Sequence, residues 1–275
     1  MKKKGNKMIA IIAGTGNLPV EAAKSFLEQN KNFIVICLFP KDNLEKLKKI
    51  INQKAEIISE PFYKAGHILK ILKKKNVNKV LLIGKVDKRN LLKKIKLDWL
   101  ALKTLTKAIT KSDSSLMQSI VNQIENEGIK VLKQSDVLKN LIIPSGVLIG
   151  KLTKEIEEDI EFGLNTANKL SLIDIGQTVV VKNKMIVAVE AIEGTDECIK
   201  RGIQLGKEGV IICKTAHKNQ NKKFDLPTLG PKSLKQIKKG QVKAIAWHSD
   251  KTFIANKNEF IKKSKELNIT LVSIK

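Results

Sequence analysis

The chain has 275 residues, 42% of them hydrophobic, enough for two domains of ordinary size with real cores, which excludes wholesale disorder. Its formal net charge is +25, yet Arg89 and Arg201 are the only arginines among 52 basic residues. Nucleic-acid readers favour the bidentate arginine fork, so a solvated lysine surface with weak attraction to anions or an anionic membrane is a better reading than a nucleic-acid partner.

In chain order, MKKKGNKMIAIIAGTG begins with a basic run, but its apolar stretch, Met8–Ala13, is too short for a signal segment and reads as a buried strand. Asn17 is placed to cap a helix through Gln29, with Pro19 in its first turn. A strand at Phe33–Phe39, a helix at Leu44–Ile51, a short strand at Ala55–Ile58, a helix at Lys64–Lys74 and a strand at Val80–Ile83 follow. Helical patterns then cover Leu91–Thr110 and Asp113–Glu127, and Val131–Leu132 reads as a last strand. Residues 137–152 carry Pro144, Gly146 and Gly150 with little periodicity, and read as a linker. Beyond it come a helix at Lys154–Leu170, a hairpin of Val179–Val181 and Met185–Val189, and a helix from about Asp196. A strand at Gly209–Cys213, another near Ala244–Trp247, a helix at Glu259–Leu267 and a strand at Ile269–Ile274 complete the chain. This alternation predicts an α/β protein: an N-terminal Rossmann-like parallel-sheet domain (1–136), the linker (137–152) and a C-terminal α/β catalytic domain (153–275).

Chemistry-bearing residues gather at strand ends. Gly14-Thr15-Gly16 lies between a strand and a helix, where a phosphate can meet backbone N–H groups, but Pro19 stands where the dinucleotide fingerprint needs a third glycine. Gly84-Lys85 ends the fourth strand, so Gly16, Asn17 and Lys85 can address one ligand. Ser112 and Asp113 open a helix and suit a cap with a ligand role beside it. Glu190, Glu193 and Asp196 surround Gly194 after the hairpin, as a metal or phosphate site requires. Lys214, Lys218, Gln220, Lys222, Lys223 and Asp225 form a second polar loop, whose lysines keep Asp225 ionised. Cys37, Cys198 and Cys213 form no CxxC, and His67, His217 and His248 stand apart, with no HExxH. Trp99, Trp247 and Tyr63 make no stacking platform along the sequence, and no segment reaches the ~18 apolar residues of a membrane span. The chain therefore reads as cytosolic, with any membrane relation peripheral.

The motifs IAGTGNLP, GKVDK, SDSSLM, DIGQTVVV, AVEAIEGTDECIKRG and KTAHKNQNKKFDLPTLGP, spread from about Met8 to Ile274, resemble the metal-dependent, non-calcineurin UDP-2,3-diacylglucosamine pyrophosphatases of lipid A synthesis. The resemblance implies hydrolysis of a pyrophosphate to UMP and 2,3-diacylglucosamine 1-phosphate (lipid X), with Mg2+ or Mn2+. It also implies a homodimer, and a substrate drawn from the cytoplasmic face of the anionic inner membrane. The family's functional aspartate maps to Asp225. The metal set is then Asp225, Glu193 and Asp196, and the substrate contacts are Gly16, Asn17, Leu18, Lys85, Ser112, Asp113, Gln177, Gly194, Thr195, Lys214, Lys218 and Thr228. Leu141, Ile142, Ile143, Val147 and Leu148 are candidates to line an acyl cleft. The chain departs from the family where a Gln-Asp pair with a nearby Arg becomes Gln220-Asn221-Lys222-Lys223. The alternative is another nucleotide-binding enzyme such as an oxidoreductase, which a nicotinamide cofactor bound at micromolar affinity would favour.

Overall fold

A computed structural model describes residues 8–85, 113–216, 221–224, 226–249 and 251–275. The expected helix at Leu91–Thr110 and the candidates Ser112, Lys218 and Asp225 lie outside them. The chain divides into two compact units: Met1–Lys139 with Asn221–Asp225, and Asn140–Gln220 with Leu226–Lys275.

The first unit is a parallel sheet of β1 (Met8–Ala13), β2 (Phe33–Cys37), β3 (Glu56–Ser59), β4 (Val77–Ile83) and β5 (Lys130–Val131), in the order β3-β2-β1-β4-β5. Its central strands are near-continuous apolar runs because helices cover both faces. Ala10, Ile12, Ile34, Ile36, Val80 and Leu82 pack with Ile68, Leu72, Val121 and Ile124. The helices are α1 (Leu18–Glu28), α2 (Pro40–Ile51), α3 (Ala65–Lys74), α4 (Asp113–Asn126) and the single turn α5 (Gln134–Val137). Helix α2 starts four residues before the sequence pattern predicts, because Pro40 enters the first turn with φ already set. The chain moves outward from β1 to β2 and β3, then returns to place β4 on the other side of β1. The β1–β4 boundary is thus the switch point of the sheet.

Residues 221–224 belong to this unit. Asn221 Nδ2 donates to Gln118 Oε1 (2.6 Å), Gln134 N–H donates to the Lys222 carbonyl (2.7 Å), and Lys223 Nζ bridges both Glu125 carboxylate oxygens at 2.8 and 2.9 Å. Phe224 packs against the core just described.

The second unit is a mixed sheet in the order β6-β13-β11-β9-β7-β8. Strands β9 (Val210–Lys214), β11 (Val242–His248) and β13 (Thr270–Ile274) are parallel. Strand β6 (Gly146–Ile149) pairs antiparallel on one edge, and the hairpin β7 (Thr178–Lys182)–β8 (Met185–Val189) pairs on the other. A two-stranded ribbon joins β10 (Thr228–Leu229) and β12 (Phe253–Ile254). The residues read as a linker hold a 3₁₀ turn at Lys139–Leu141 and the edge strand β6. Ile143, a candidate for an acyl cleft, is instead core, and Leu148 packs against it; Val147 is exposed.

Period-2 alternation sorts this sheet's side chains onto two faces. Val179, Val181, Ile211, Cys213, Ala244 and Ala246 meet α6 (Lys154–Leu172) through Ile160, Leu164 and Ala167. Val180, Ile212, Ile245 and Trp247 meet α7 (Thr195–Gly206) and α8 (Lys257–Glu266) through Ile199, Ile203 and Phe260. Gly163 and Gly202 allow close approach: a Cβ at Gly163 would lie 2.5 Å from Cys213 Sγ, and one at Gly202 2.5 Å from Val180.

Candidate active site

At the switch point of the first unit, the turns after β1 and β4 are tied together. Thr15 N–H donates to the Lys85 carbonyl (2.7 Å), Lys85 N–H donates back to Thr15 (2.9 Å), and Gly14 N–H donates to Ile83 (2.8 Å). The contact needs glycine: a Cβ on Gly14 would lie 2.6 Å from the Lys85 carbonyl oxygen. Gly16, at φ +88°, donates its N–H to Asp42 Oδ2 at 2.8 Å, and buried Asn43 donates Nδ2 to the Gly14 carbonyl at 2.7 Å. Gly16, Asn17, Leu18 and Lys85 are thereby gathered at one sheet edge. Asn17 Nδ2 reaches Glu21 Oε1 (3.2 Å) and Leu18 begins α1.

In the second unit a closed ring of side chains joins β7, the turn after β8, β9 and α7. Lys214 ends β9 and is only 4% exposed. Its Nζ donates to Thr178 Oγ1 (2.9 Å) and Thr195 Oγ1 (2.8 Å), and lies 3.6 Å from Glu190 Oε2. Thr195 donates in turn to Glu190 Oε1 at 2.8 Å, and the Gln177 amide reaches Glu190 Oε2 at 3.4 Å. Burial pushes the Glu190 carboxyl up. The Lys214 ammonium and the hydrogen bonds from Thr178, Thr195 and Gln177 outweigh it and hold Glu190 below the usual carboxylate range. Gly176 makes room for the ring, because a Cβ there would collide with the Glu190 carbonyl. Gly194, at φ +84°, turns the chain so that Thr195 opens α7.

Beside the ring, fully buried Thr215 hydrogen-bonds His248 Nδ1 at 2.9 Å, joining the ends of the parallel strands β9 and β11. In open α/β sheets ligands sit outside these carboxyl ends. The cysteines make poor nucleophiles: burial raises Cys37, pushes Cys198 up to about 12, and raises Cys213 further.

The expected carboxylates separate by task. Glu193 is exposed, pairs with Arg201 (2.6 Å) and accepts the Ala191 N–H (3.2 Å). Hydrogen bonds from its own and the Ala191 backbone, together with Arg201, hold it below the usual range. Asp196 lies in the first turn of α7, with Ser233 Oγ at 3.5 Å. Gln177, Gly194, Thr195 and Lys214 come together around Glu190. Thr228 lies on β10, its hydroxyl 3.4 Å from the Leu226 carbonyl, and Asp113 begins α4. Glu190 was read from sequence only as part of a metal or phosphate site and is instead the ion-pair partner of Lys214; Thr178, Thr215 and His248 were not assigned from sequence. The signal that could have found Thr178, and set Glu190 beside Lys214, is the hairpin register.

A magnesium or manganese ion requires several hard oxygen ligands on one point. Among the described residues no group of three or more His, Cys, Asp or Glu converges. Glu190 faces an ammonium and Glu193 a guanidinium. Among the described residues these carboxylates do not form a cage for a hard cation.

Two family models match the chain in order: the LpxI N-terminal domain over residues 8–141 and the LpxI C-terminal domain over residues 144–272. A similar protein is the UDP-2,3-diacylglucosamine pyrophosphatase LpxI of Caulobacter vibrioides, 25% identical over 284 residues and aligned over 98% of each chain. Among solved structures, the UDP-glucose-4-epimerase of Stenotrophomonas maltophila with bound NAD is 9% identical at TM-score 0.30, over 45% of this chain and 34% of that one. The dTDP-glucose 4,6-dehydratase of Bacillus anthracis in complex with NAD is 11% identical at TM-score 0.33, over 95% and 90%. Scores this low bear on neither fold nor site. The two LpxI domains, matched in order over nearly the whole length, show that this chain belongs to the LpxI family.

Proposed function

We propose that the protein is a UDP-2,3-diacylglucosamine pyrophosphatase, which hydrolyses its substrate to UMP and 2,3-diacylglucosamine 1-phosphate in lipid A synthesis. The observation that carries this reading is the match to both LpxI domains, supported by the full-length relative that bears this name.

In this reaction water adds to one phosphorus and the bridging P–O bond breaks. The hydroxyl stays with the attacked phosphate and a proton goes to the departing one. The barrier is repulsion between the entering oxygen and anionic phosphate oxygens, so fixed cations and hydrogen-bond donors are what a protein must supply. Lys214 and the opening turn of α7 offer such groups at the strand-end edge of the second unit. Glu190 balances the charge of Lys214 and fixes the Thr178 and Thr195 hydroxyls, so the edge is ordered before substrate arrives. Asp225 is assigned to orient water or to anchor a divalent cation. Dependence on magnesium or manganese, like the homodimer and the membrane surface, belongs to the same proposal and rests on the resemblance. An NAD-dependent oxidoreductase is the weaker reading, because the Gly16 N–H that would meet a dinucleotide phosphate is bound to Asp42.

The test is UMP release from UDP-2,3-diacylglucosamine by the wild type and by Asp225→Ala, with magnesium and with chelator. Metal-dependent release that is lost in the variant supports both the reaction and the role of Asp225. Release that survives Asp225→Ala keeps the reaction and removes that role. No release by folded wild type overturns the reading.

A further inference from the structure

We propose that the carboxyl-end edge of the first unit's sheet is a nucleoside subsite, in which Asp42 accepts the ribose hydroxyls and Phe39, Phe62 and Tyr63 form the surface for the base. The proposal rests on the UDP-sugar reading above and assigns the uridine half of that substrate to named residues.

Asp42 carries the first part of the argument. In dinucleotide-binding sheets the turn after β1 cradles phosphate with its amides, and an acid beyond β2 takes the ribose hydroxyls. This chain keeps the acid and closes the cradle. Asp42 stands in the first turn of α2, which follows β2. The Gly14, Thr15 and Gly16 amides are already given to Ile83, Lys85 and Asp42. A phosphate placed on the Gly16 N–H would displace a carboxylate and meet its charge. A hydroxyl donor meets no such repulsion: Asp42 spends Oδ2 on Gly16, and a carboxylate has lone pairs for further donors. The Asp42 side chain is held by Gly16, and the neighbouring Asn43–Gly14 bond pins α2 to the loop.

The rings are the second, independent observation. Phe39 and Phe62 stack with centroids 5.4 Å apart at 22°, and Tyr63 meets Phe62 edge-on at 5.6 Å and 80°. They come from the ends of β2 and β3, at the same edge as Asp42, and all three are partly exposed. In a chain whose aromatic content is 4%, three rings in contact at a sheet's ligand edge form a surface on which a planar base can stack. Phe39 is one turn from the acid, since the Asp42 N–H donates to the Phe39 carbonyl at 3.0 Å. Asp42 and Phe39 are therefore spaced by one helical turn, with Phe62 stacked on Phe39. Phe39 lies more than twenty residues from Phe62 and Tyr63 in sequence, so the three-ring platform exists only in the fold.

Calorimetric titration of the full chain with UMP and with 2′,3′-dideoxy-UMP tests this, using wild type, Asp42→Asn and Phe62→Ala, each checked for an unchanged melting profile. Wild type is expected to bind UMP at least about tenfold more tightly than the dideoxy analogue. Asp42→Asn is expected to lose most of that preference, and Phe62→Ala to weaken both ligands alike. A preference that survives Asp42→Asn, or UMP affinity unaltered in both variants, overturns the subsite. The readout is binding, so it separates from the reaction: hydrolysis with unchanged UMP affinity in the variants sinks the subsite and leaves the function. If Phe62→Ala unfolds, Phe62→Leu keeps the bulk, removes the ring face, and carries the same expectation.

Discussion

Two glutamates three positions apart occupy opposite physical regimes. Glu193 is a surface partner of Arg201, and such pairs contribute at most about 1 kcal/mol. Glu190 answers a lysine with 5% of its side chain exposed, and removing one member of a buried pair strands the other. Glu190→Gln is expected to cost about 3 kcal/mol in urea denaturation, and Glu193→Gln less than about 1 kcal/mol. The double variant Glu190→Gln/Lys214→Met should recover part of the loss, because neither charge is then left alone. Equal costs at 190 and 193 would remove the distinction. The pH dependence has a definite sign. A carboxylate held below its unfolded value contributes stability above the ordinary glutamate range, and that contribution disappears as pH falls through the folded value. Wild type should therefore lose stability below about pH 4 with a component that Glu190→Gln lacks, read from denaturant midpoints across pH.

Helix α7 shows what elements require of single residues. It lies on β7 through Gly202, where any Cβ meets Val180 at 2.5–2.7 Å. Gly202→Ala gains helix propensity and loses the packing, so a net destabilisation of about 1–3 kcal/mol is expected. A variant at least as stable as wild type would mean that β7 yields. The segment 221–224 is held to the first unit by side chains, and Lys223→Ala or Glu125→Ala should weaken that hold, with a double-mutant coupling on the order of 1 kcal/mol. Additive costs would mean that the pair holds nothing. Much of this architecture was legible in the sequence. The runs IAIIA, FIVIC and VLLI carry the strands of the first sheet and TVVVK the inner strand of the hairpin, because burial on both faces leaves little choice of residue type; MIVAV, on the half-exposed edge, was legible from its β-branched run beside the turn. The gathering of Gly16, Asn17 and Lys85 was legible too, since strand-end loops beside the switch point must meet. The ring around Lys214 was not. Thr178, Thr195 and Lys214 come from three elements and Glu190 from the turn after β8, and only the register of β7 against β8 and β9, with α7 docked beside them, makes them neighbours. The rings of Phe39, Phe62 and Tyr63 were hidden for the same reason.

At the scale of the whole molecule, charge and apolar surface make separable demands on a membrane. Among the described residues no helix is long and apolar enough to cross one. The formal charge of +25 attracts anionic headgroups at about 1 kcal/mol for each lysine near the surface, through a field screened over about 10 Å at 0.1 M salt. Exposed aliphatics offer a second route. Leu172, Ile173 and Ile175 precede β7, and Ile192 follows β8 in full exposure. Gly176 sits against the backbone of Glu190, so the Ile175 and Ile192 turns flank one contact. Electrostatic attachment fades with salt, whereas apolar insertion does not. Co-sedimentation with anionic vesicles is therefore expected at 0.1 M salt and largely lost at about 0.5 M, with neutral vesicles binding little at either. Ile192→Asp then separates the routes, because one added charge barely changes +25 but ends any insertion at that turn. If binding persists at high salt and falls with Ile192→Asp, the aliphatic tip is the anchor and the lysines only bring it to the surface. If binding follows salt alone, the lysine surface accounts for it, and the four aliphatics have another use.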